Sequence, residues 1–243
     1  MAKLSQKGDF MKNRAFTLAE VLITIGIIGV VAALVLPNAI NGYKRKQLEV
    51  QFKKTASLID QAILNTKTEM GIDDFKDIIS SNQNNKTALD AEFIEINKVF
   101  EKQFKYVKKS HNMDSGKVQH QEFFGQNRIY CNHFEPASIS REAFYYYTLP
   151  DGSIISSIDY SPSLKEIHIA VDTNGVKGPN RRGYDIFLYG SNWACDPLVQ
   201  ATDNLVGCWP LALKNVNPVN KSYSYWDSLY RPKSYWEDLR NKK

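Results

Sequence analysis

Hydrophobic positions follow three patterns along the chain. Residues 16–36 (FTLAEVLITIGIIGVVAALVL) are apolar on every face and carry one charge, Glu20. As a helix this run rises about 31 Å, the thickness of one hydrocarbon core. A cleavable secretory signal has an apolar region of roughly 7–15 residues followed by a small-x-small site. Val31-Ala32-Ala33 has that form, yet the apolar run continues past it. The segment is expected to be a transmembrane helix over 16–36. Length alone leaves an ordinary uncleaved signal anchor as a second reading.

Beyond Pro37 the pattern becomes periodic. Leu48, Phe52, Ala56, Ile59, Ile63 and Met70 recur at close to helical spacing. This predicts an amphipathic helix over 37–70, with one face on a globular head and a Lys-rich face in solvent. Pro37 is expected to kink or loosen the helix where it leaves the membrane. Residues 71–128 are mixed. They hold a polar loop at 80–86, a short helix at 91–104 and a loop-like stretch at 111–117.

From residue 142 the period shortens. Residues 143–149 (AFYYYTL), 153–158, 165–172 and 184–189 (YDIFLY) each suit a strand, and Pro150-Asp151-Gly152 is a turn signal. In 165–172, Ile167, Ile169 and Val171 share one face; Glu166, His168 and Ala170 share the other, which predicts a solvent-facing His168. Short turns between successive strands predict an antiparallel meander over about 142–190, then a C-terminal loop region. The fold class is α+β: a long N-terminal helix packed on an antiparallel sheet in a head spanning 71–243.

Composition changes this picture little. Hydrophobic residues are 43% and charged residues 23%, as in an ordinary globular protein. The net charge of +5 is uneven: Lys3, Lys7, Lys12 and Arg14 against Asp9 give residues 1–15 a net +3, leaving +2 for the rest. A balance so near neutral does not favour nucleic-acid binding. There is no GxSxG, HExxH, P-loop or CxxC, so an enzyme is not expected. Cys131-x-His133 is half of a metal pattern with no second half, and a core cysteine is the plainer reading. Ser224-Tyr225-Trp226-Asp227 and Ser234-Tyr235-Trp236-Glu237 are two similar clusters for which core packing is the default.

Glu20 is the residue that an anchor does not need. A carboxylate in hydrocarbon carries a desolvation cost that eases towards the interface, so it has a partner or sits near the surface. Lys12-Asn13-Arg14-Ala15 followed by Phe16-Thr17-Leu18-Ala19-Glu20 resembles the signal of type IV prepilins and type II secretion pseudopilins. The resemblance covers about residues 11–65. It implies a leader over 1–15, cut by a prepilin peptidase between Ala15 and Phe16 on the cytoplasmic side, with N-methylation of the new terminus. Glu20 is then the fifth mature residue and Pro37 the twenty-second, as in that family. Ala15 stands where the family usually has Gly, and Met11 is an alternative start.

The resemblance further implies a pilin-like fold and a structural role. The chain would be a single-pass protein of the cytoplasmic membrane, its N-terminus cytoplasmic and its head extracytoplasmic. It would join other pilin-like subunits in a type II secretion or type IV pilus-like filament, driven by an assembly ATPase and a platform protein. Glu20 would pair with the Phe16 amine of a neighbouring subunit. A competence pseudopilin for DNA uptake is an alternative within the class; a signal-anchored exported enzyme or binding protein is the alternative outside it. The five cations Lys44, Arg45, Lys46, Lys53 and Lys54 follow the span and rival the basic leader, so charge counting does not fix the orientation.

Two features of the head remain open. The loop from Asp172 to Asp185 is similar to loops of many pseudopilin-like proteins, some of which bind calcium. Asp172, Asn174 and Asp185 are hard oxygen ligands for Ca²⁺, but the spacing is not that of an EF-hand, and Arg181 and Arg182 oppose a cation. The favoured reading is a turn whose Asp and Asn bond to their own backbone, with no cofactor. Cys195 and Cys208 are candidates for a disulfide pinning a C-terminal loop, as in many type IV pilins; two free buried thiols are the alternative.

Overall fold

The computed structural model describes residues 16–111, 139, 143–175, 177–178, 180, 183–190, 209–217 and 219–231. The chain divides into two units, one up to Tyr43 and one from Lys44 onwards.

Helix α1 runs Leu18–Met70 and continues through Pro37. Proline has no N–H, so the Ala33 carbonyl loses its usual donor there. In the first unit the apolar side chains are exposed all round, among them Leu22, Ile25, Ile28, Val31 and Leu34. In the second unit the helix buries one stripe: Leu48, Phe52, Thr55, Ala56, Ile59, Ala62, Ile63 and Thr66. The predicted face is thus the observed one, with Met70 partly buried at its end. The two threonines keep their hydroxyls satisfied by donating to carbonyls one turn back, Thr55 to Gln51 at 3.0 Å and Thr66 to Ala62 at 2.7 Å.

The stretch after α1 holds more helix than the polar pattern suggests. Helix α2 (Phe75–Ser81) is capped by Asp74, which accepts from the Lys76 N–H at 3.0 Å. Helix α3 (Lys86–Phe100) is capped by Asn85, which accepts from the Ala88 N–H at 3.1 Å. A 3₁₀ turn follows at Glu101–Gln103. The loop expected at 80–86 therefore shrinks to 82–85, and the helix expected from 91 starts five residues earlier, at its cap.

Among the described residues six antiparallel strands form the sheet: β1 (Lys108–His111), β2 (Tyr145–Thr148), β3 (Ile154–Ser156), β4 (Asp159–Ser161), β5 (Glu166–Asp172) and β6 (Ile186–Tyr189). Their order is β1-β2-β3-β5-β4, with β6 also on β5. Strand β1 lies outside the predicted 142–190 and takes in His111, expected in a loop. Lys-Lys-Ser-His has no apolar alternation. It is a strand because it pairs with β2, where the Lys109 ammonium sits 4.2 Å from the Tyr145 ring centre.

Strands β3 and β4 are one edge interrupted by a bulge. Ile155 pairs with Val171 and Asp159 with His168, so three residues between these pairs on one side face two on the other. Side chains replace the lost ladder bonds. Ser156 Oγ accepts from the Ala170 N–H at 2.9 Å. The buried Asn97 amide of α3 brackets Ile158, accepting from its N–H at 2.7 Å and donating to its carbonyl at 2.9 Å.

The core joins α1 to the sheet. Phe52 has ring centres of Phe187, Trp209 and Trp226 within 4.5, 4.8 and 5.3 Å. Trp209 belongs to the short helix α4 (Trp209–Leu213), and Trp226 to a 3₁₀ turn (Trp226–Ser228). The first aromatic cluster of the tail is thus core; the second lies outside the described residues. His168 corrects an expectation. It is buried, because both faces of this part of the sheet are covered: Ile169 and Val171 are buried on one, His168 and Ala170 on the other. Burial holds its imidazole below the usual histidine range, against the pull of Asp159 and Glu166.

Candidate functional site

The start of α1 is a reciprocal cap. The Thr17 N–H donates to Glu20 Oε2 at 2.8 Å, the Thr17 hydroxyl donates to the same oxygen at 2.8 Å, and the Glu20 N–H donates back to Thr17 Oγ1 at 3.2 Å. This is a capping box, in which the first and fourth residues of T-x-x-E satisfy each other's backbone donors. The first backbone helical bond runs from the Val21 N–H to the Thr17 carbonyl at 3.2 Å, so Phe16 precedes the helix. Phe16 is 84% exposed. Among the described residues Glu20 Oε1 accepts no hydrogen bond.

Charge alone does not point to Thr17, although T-x-x-E before an apolar run is itself a helix-start signature. Within this unit the structure places Phe16, Thr17 and Glu20 within one turn. Pro37 lies seventeen residues beyond Glu20 along the same helix. Ala15 lies outside the described residues.

In the second unit the Asp172 loop is folded on its own backbone. Asp172 Oδ1 accepts from the N–H of Asn174 at 3.1 Å and of Gly175 at 2.8 Å. Asp185 Oδ2 accepts from the Asn180 N–H at 2.7 Å, and the Thr173 N–H donates to the Asp185 carbonyl at 2.8 Å. Gly175 has φ +63°, and a Cβ there would overlap the Gly152 carbonyl oxygen, so only glycine fits. Asp172 and Asp185 are fully buried. Burial, and then the Asp185 carboxylate, push the Asp172 carboxyl well above its ordinary range. Asp172 Oδ2 and Asn174 Oδ1 are buried without a hydrogen-bond partner. Both are hard oxygens of the kind a cation takes. The described residues contain no cluster of three His, Cys, Asp or Glu suited to a metal. Arg181, Arg182, Cys131, His133, Cys195 and Cys208 lie outside the described residues.

A cleft of about 490 Å³ opens beside α1, α2 and the end of β6. Trp209, Tyr189 and Ile167 give it an apolar floor, with Lys67, Lys165 and Lys214 among its rim residues. The Tyr189 hydroxyl hydrogen-bonds the Asp60 carboxyl. Burial raises Asp60 above its ordinary range, and burial with the Asp60 charge pushes the Tyr189 phenol up to about 12. Among the described residues that line it there is no histidine or cysteine.

The cations after the span are spent on the second unit. Lys54 pairs with Asp151 at 2.7 Å, Lys46 and Lys53 pair with Glu49 at 3.0 and 2.6 Å, and Arg45 reaches the Leu229 carbonyl at 3.5 Å. The Lys44 ammonium lies 5.8 Å from the Tyr230 ring centre.

Residues 10–36 match the prokaryotic N-terminal methylation motif. No curated protein and no solved structure matches the chain. The matched segment contains Phe16, Thr17 and Glu20 and ends one residue before Pro37. The chain therefore carries a type IV pilin-like signal. The motif implies processing by a prepilin peptidase and assembly with other pilin-like subunits. Together with the long apolar helix it fits a membrane-anchored protein.

Proposed function

We propose that a chain bearing this signal is a structural pilin-like subunit, a pseudopilin, and not an enzyme. It is cut between Ala15 and Phe16, methylated at Phe16, and held in the cytoplasmic membrane by one span over 16–36, with its N-terminus cytoplasmic and its head extracytoplasmic. An assembly ATPase and a platform protein then build it into a type II secretion or type IV pilus-like filament. The observation that carries this reading is Glu20. It is the one acidic residue in the exposed apolar stretch 16–36, fifth from the expected cut, inside the matched motif. The new Phe16 amine of one subunit and the Glu20 carboxylate of its neighbour neutralise each other in low dielectric, where each charge by itself is costly.

Exchange of Glu20 for alanine tests the reading. Glu20→Ala is expected to remain in the membrane while its share in sheared filaments falls more than tenfold, on the order expected for one lost charge pair. Wild-type incorporation of Glu20→Ala contradicts the reading.

The Asp172 loop is read as a structural turn. Its support is that Asp172 Oδ1 is already committed to two amides of its own loop.

A further inference from the structure

The cleft over Trp209, Tyr189 and Ile167 does not end at its own rim. Past Asp60 and Leu213, which line both, it continues into a second recess of about 330 Å³ against Lys53, Ser57 and Leu64. From Lys53 to Lys67 this groove follows α1 for about 21 Å, the length of about six extended residues. Leu64 and Leu213 stand 58% and 46% exposed beside it. We propose that the groove docks an acidic peptide segment of a partner protein, extended along α1, with apolar side chains on the floor and carboxylates among Lys67, Lys76, Lys165 and Lys214.

Charge selects the occupant. Elsewhere in the second unit Lys46, Lys53, Lys54, Lys86, Lys98 and Lys109 each pair with a carboxylate. Among the described residues the four rim lysines pair with none. The carboxylates that line the cleft are already engaged. Asp60 accepts from the Tyr189 hydroxyl, Asp74 accepts from the Lys76 N–H at 3.0 Å, and Glu166 lies 3.9 Å from His168 Nε2. The charge left over is positive, and its complement is anionic. Lys165 is also held at φ +54°, a left-handed conformation that glycine or asparagine adopts at lower cost, so the turn itself does not call for a lysine.

Length favours a peptide over a small anion. A single small ligand fills one recess. An extended chain sets alternate side chains on the floor of both and turns the others towards the lysines. The aromatic floor gives such a chain an anchor, and the lysines give it a sign.

The test uses the full chain in detergent micelles and a fluorescein-labelled hexapeptide, Trp-Glu-Leu-Glu-Leu-Glu, followed by anisotropy. Two control peptides carry Gln or Lys in place of each Glu. The acidic peptide is expected to bind saturably, and the Gln and Lys peptides at least tenfold more weakly. Raising the salt should weaken the acidic peptide alone. Lys165→Glu combined with Lys214→Glu should lower its affinity about tenfold, and Lys98→Glu, outside the groove, less than twofold. Leu213→Glu places a charge where the two recesses meet and should also cost about tenfold. Because Leu213 is exposed, the denaturant midpoint of that variant should stay at the wild-type value. Equal binding of the acidic and Gln peptides overturns the proposal, as does wild-type affinity in the Lys165→Glu, Lys214→Glu protein. No saturable binding below about 1 mM also overturns it. So does single-stranded DNA that binds the groove where the acidic peptide does not.

Discussion

Leu18 to Tyr43 and Lys44 to Met70 are consecutive stretches of one helix, and they spend their apolar residues differently. In the first stretch Leu22, Ile25, Ile28 and Val31 sit at successive angles round the axis and are all exposed. In the second, Leu48, Phe52, Ala56, Ile59 and Ile63 hold one stripe and are all buried, while Lys46, Lys53 and Lys54 are exposed. An apolar surface with no preferred side suits surroundings that are apolar on every side; a stripe suits a core on one side. The first stretch is therefore tuned by length and charge, the second by packing at particular positions.

The largest effect should come from breaking the packed stretch. Phe52→Ala removes the ring that meets Phe187, Trp209 and Trp226, and is expected to destabilise the head by about 3–5 kcal/mol. Val30→Ala, at an exposed position of the first stretch, is the matched control. Denaturant unfolding of the full chain in micelles should show a large shift for Phe52→Ala and none for Val30→Ala. Equal shifts would erase the distinction between the two stretches.

Asn97→Ala probes whether the head depends on polar as well as apolar fit. It strands the N–H and carbonyl of Ile158 at the bulge, and about 2–3 kcal/mol of stability should be lost in the same assay. A loss below about 0.5 kcal/mol, the range of an ordinary surface exchange, would show that the bulge is satisfied another way.

A smaller effect of opposite sign is expected at Asp172. Its carboxyl titrates higher when folded than when unfolded, so the folded state binds the extra proton. Stability from this group is thus highest below the unfolded value near 3.8 and falls as pH rises towards the raised folded value. Asp172→Asn keeps the Oδ1 acceptor, should be more stable than wild type at neutral pH, and should flatten the pH profile. Ca²⁺ added after chelation should leave the wild-type midpoint unmoved. A Ca²⁺-dependent rise lost in Asp172→Asn would instead make the loop a cation site through Asp172 Oδ2 and Asn174 Oδ1.

Legibility in the sequence divides along the same line as the helix. The apolar segment, the buried stripe from Leu48 and the strands from Tyr145 are readable because each rests on a local pattern, an unbroken run in the first and a period in the others. Strand β1 was not, because Lys108–His111 is held by β2 and by aromatic rings distant in sequence. His168 was placed on a solvent face because alternation cannot tell that a sheet is covered on both sides. Asn85 carries a helix-start signal inside the expected polar loop, and Asp74 carries one in the mixed stretch before it. Glu20 was legible as a charge out of place, while its tie to Thr17 lay in the spacing of the same five residues.

The N-terminus of the mature protein tests the account most directly. Mass spectrometry of the chain purified from membranes should find N-methylphenylalanine at residue 16 as the first residue. A chain beginning at Met1 or Met11, or one cut after Ala33, would contradict it.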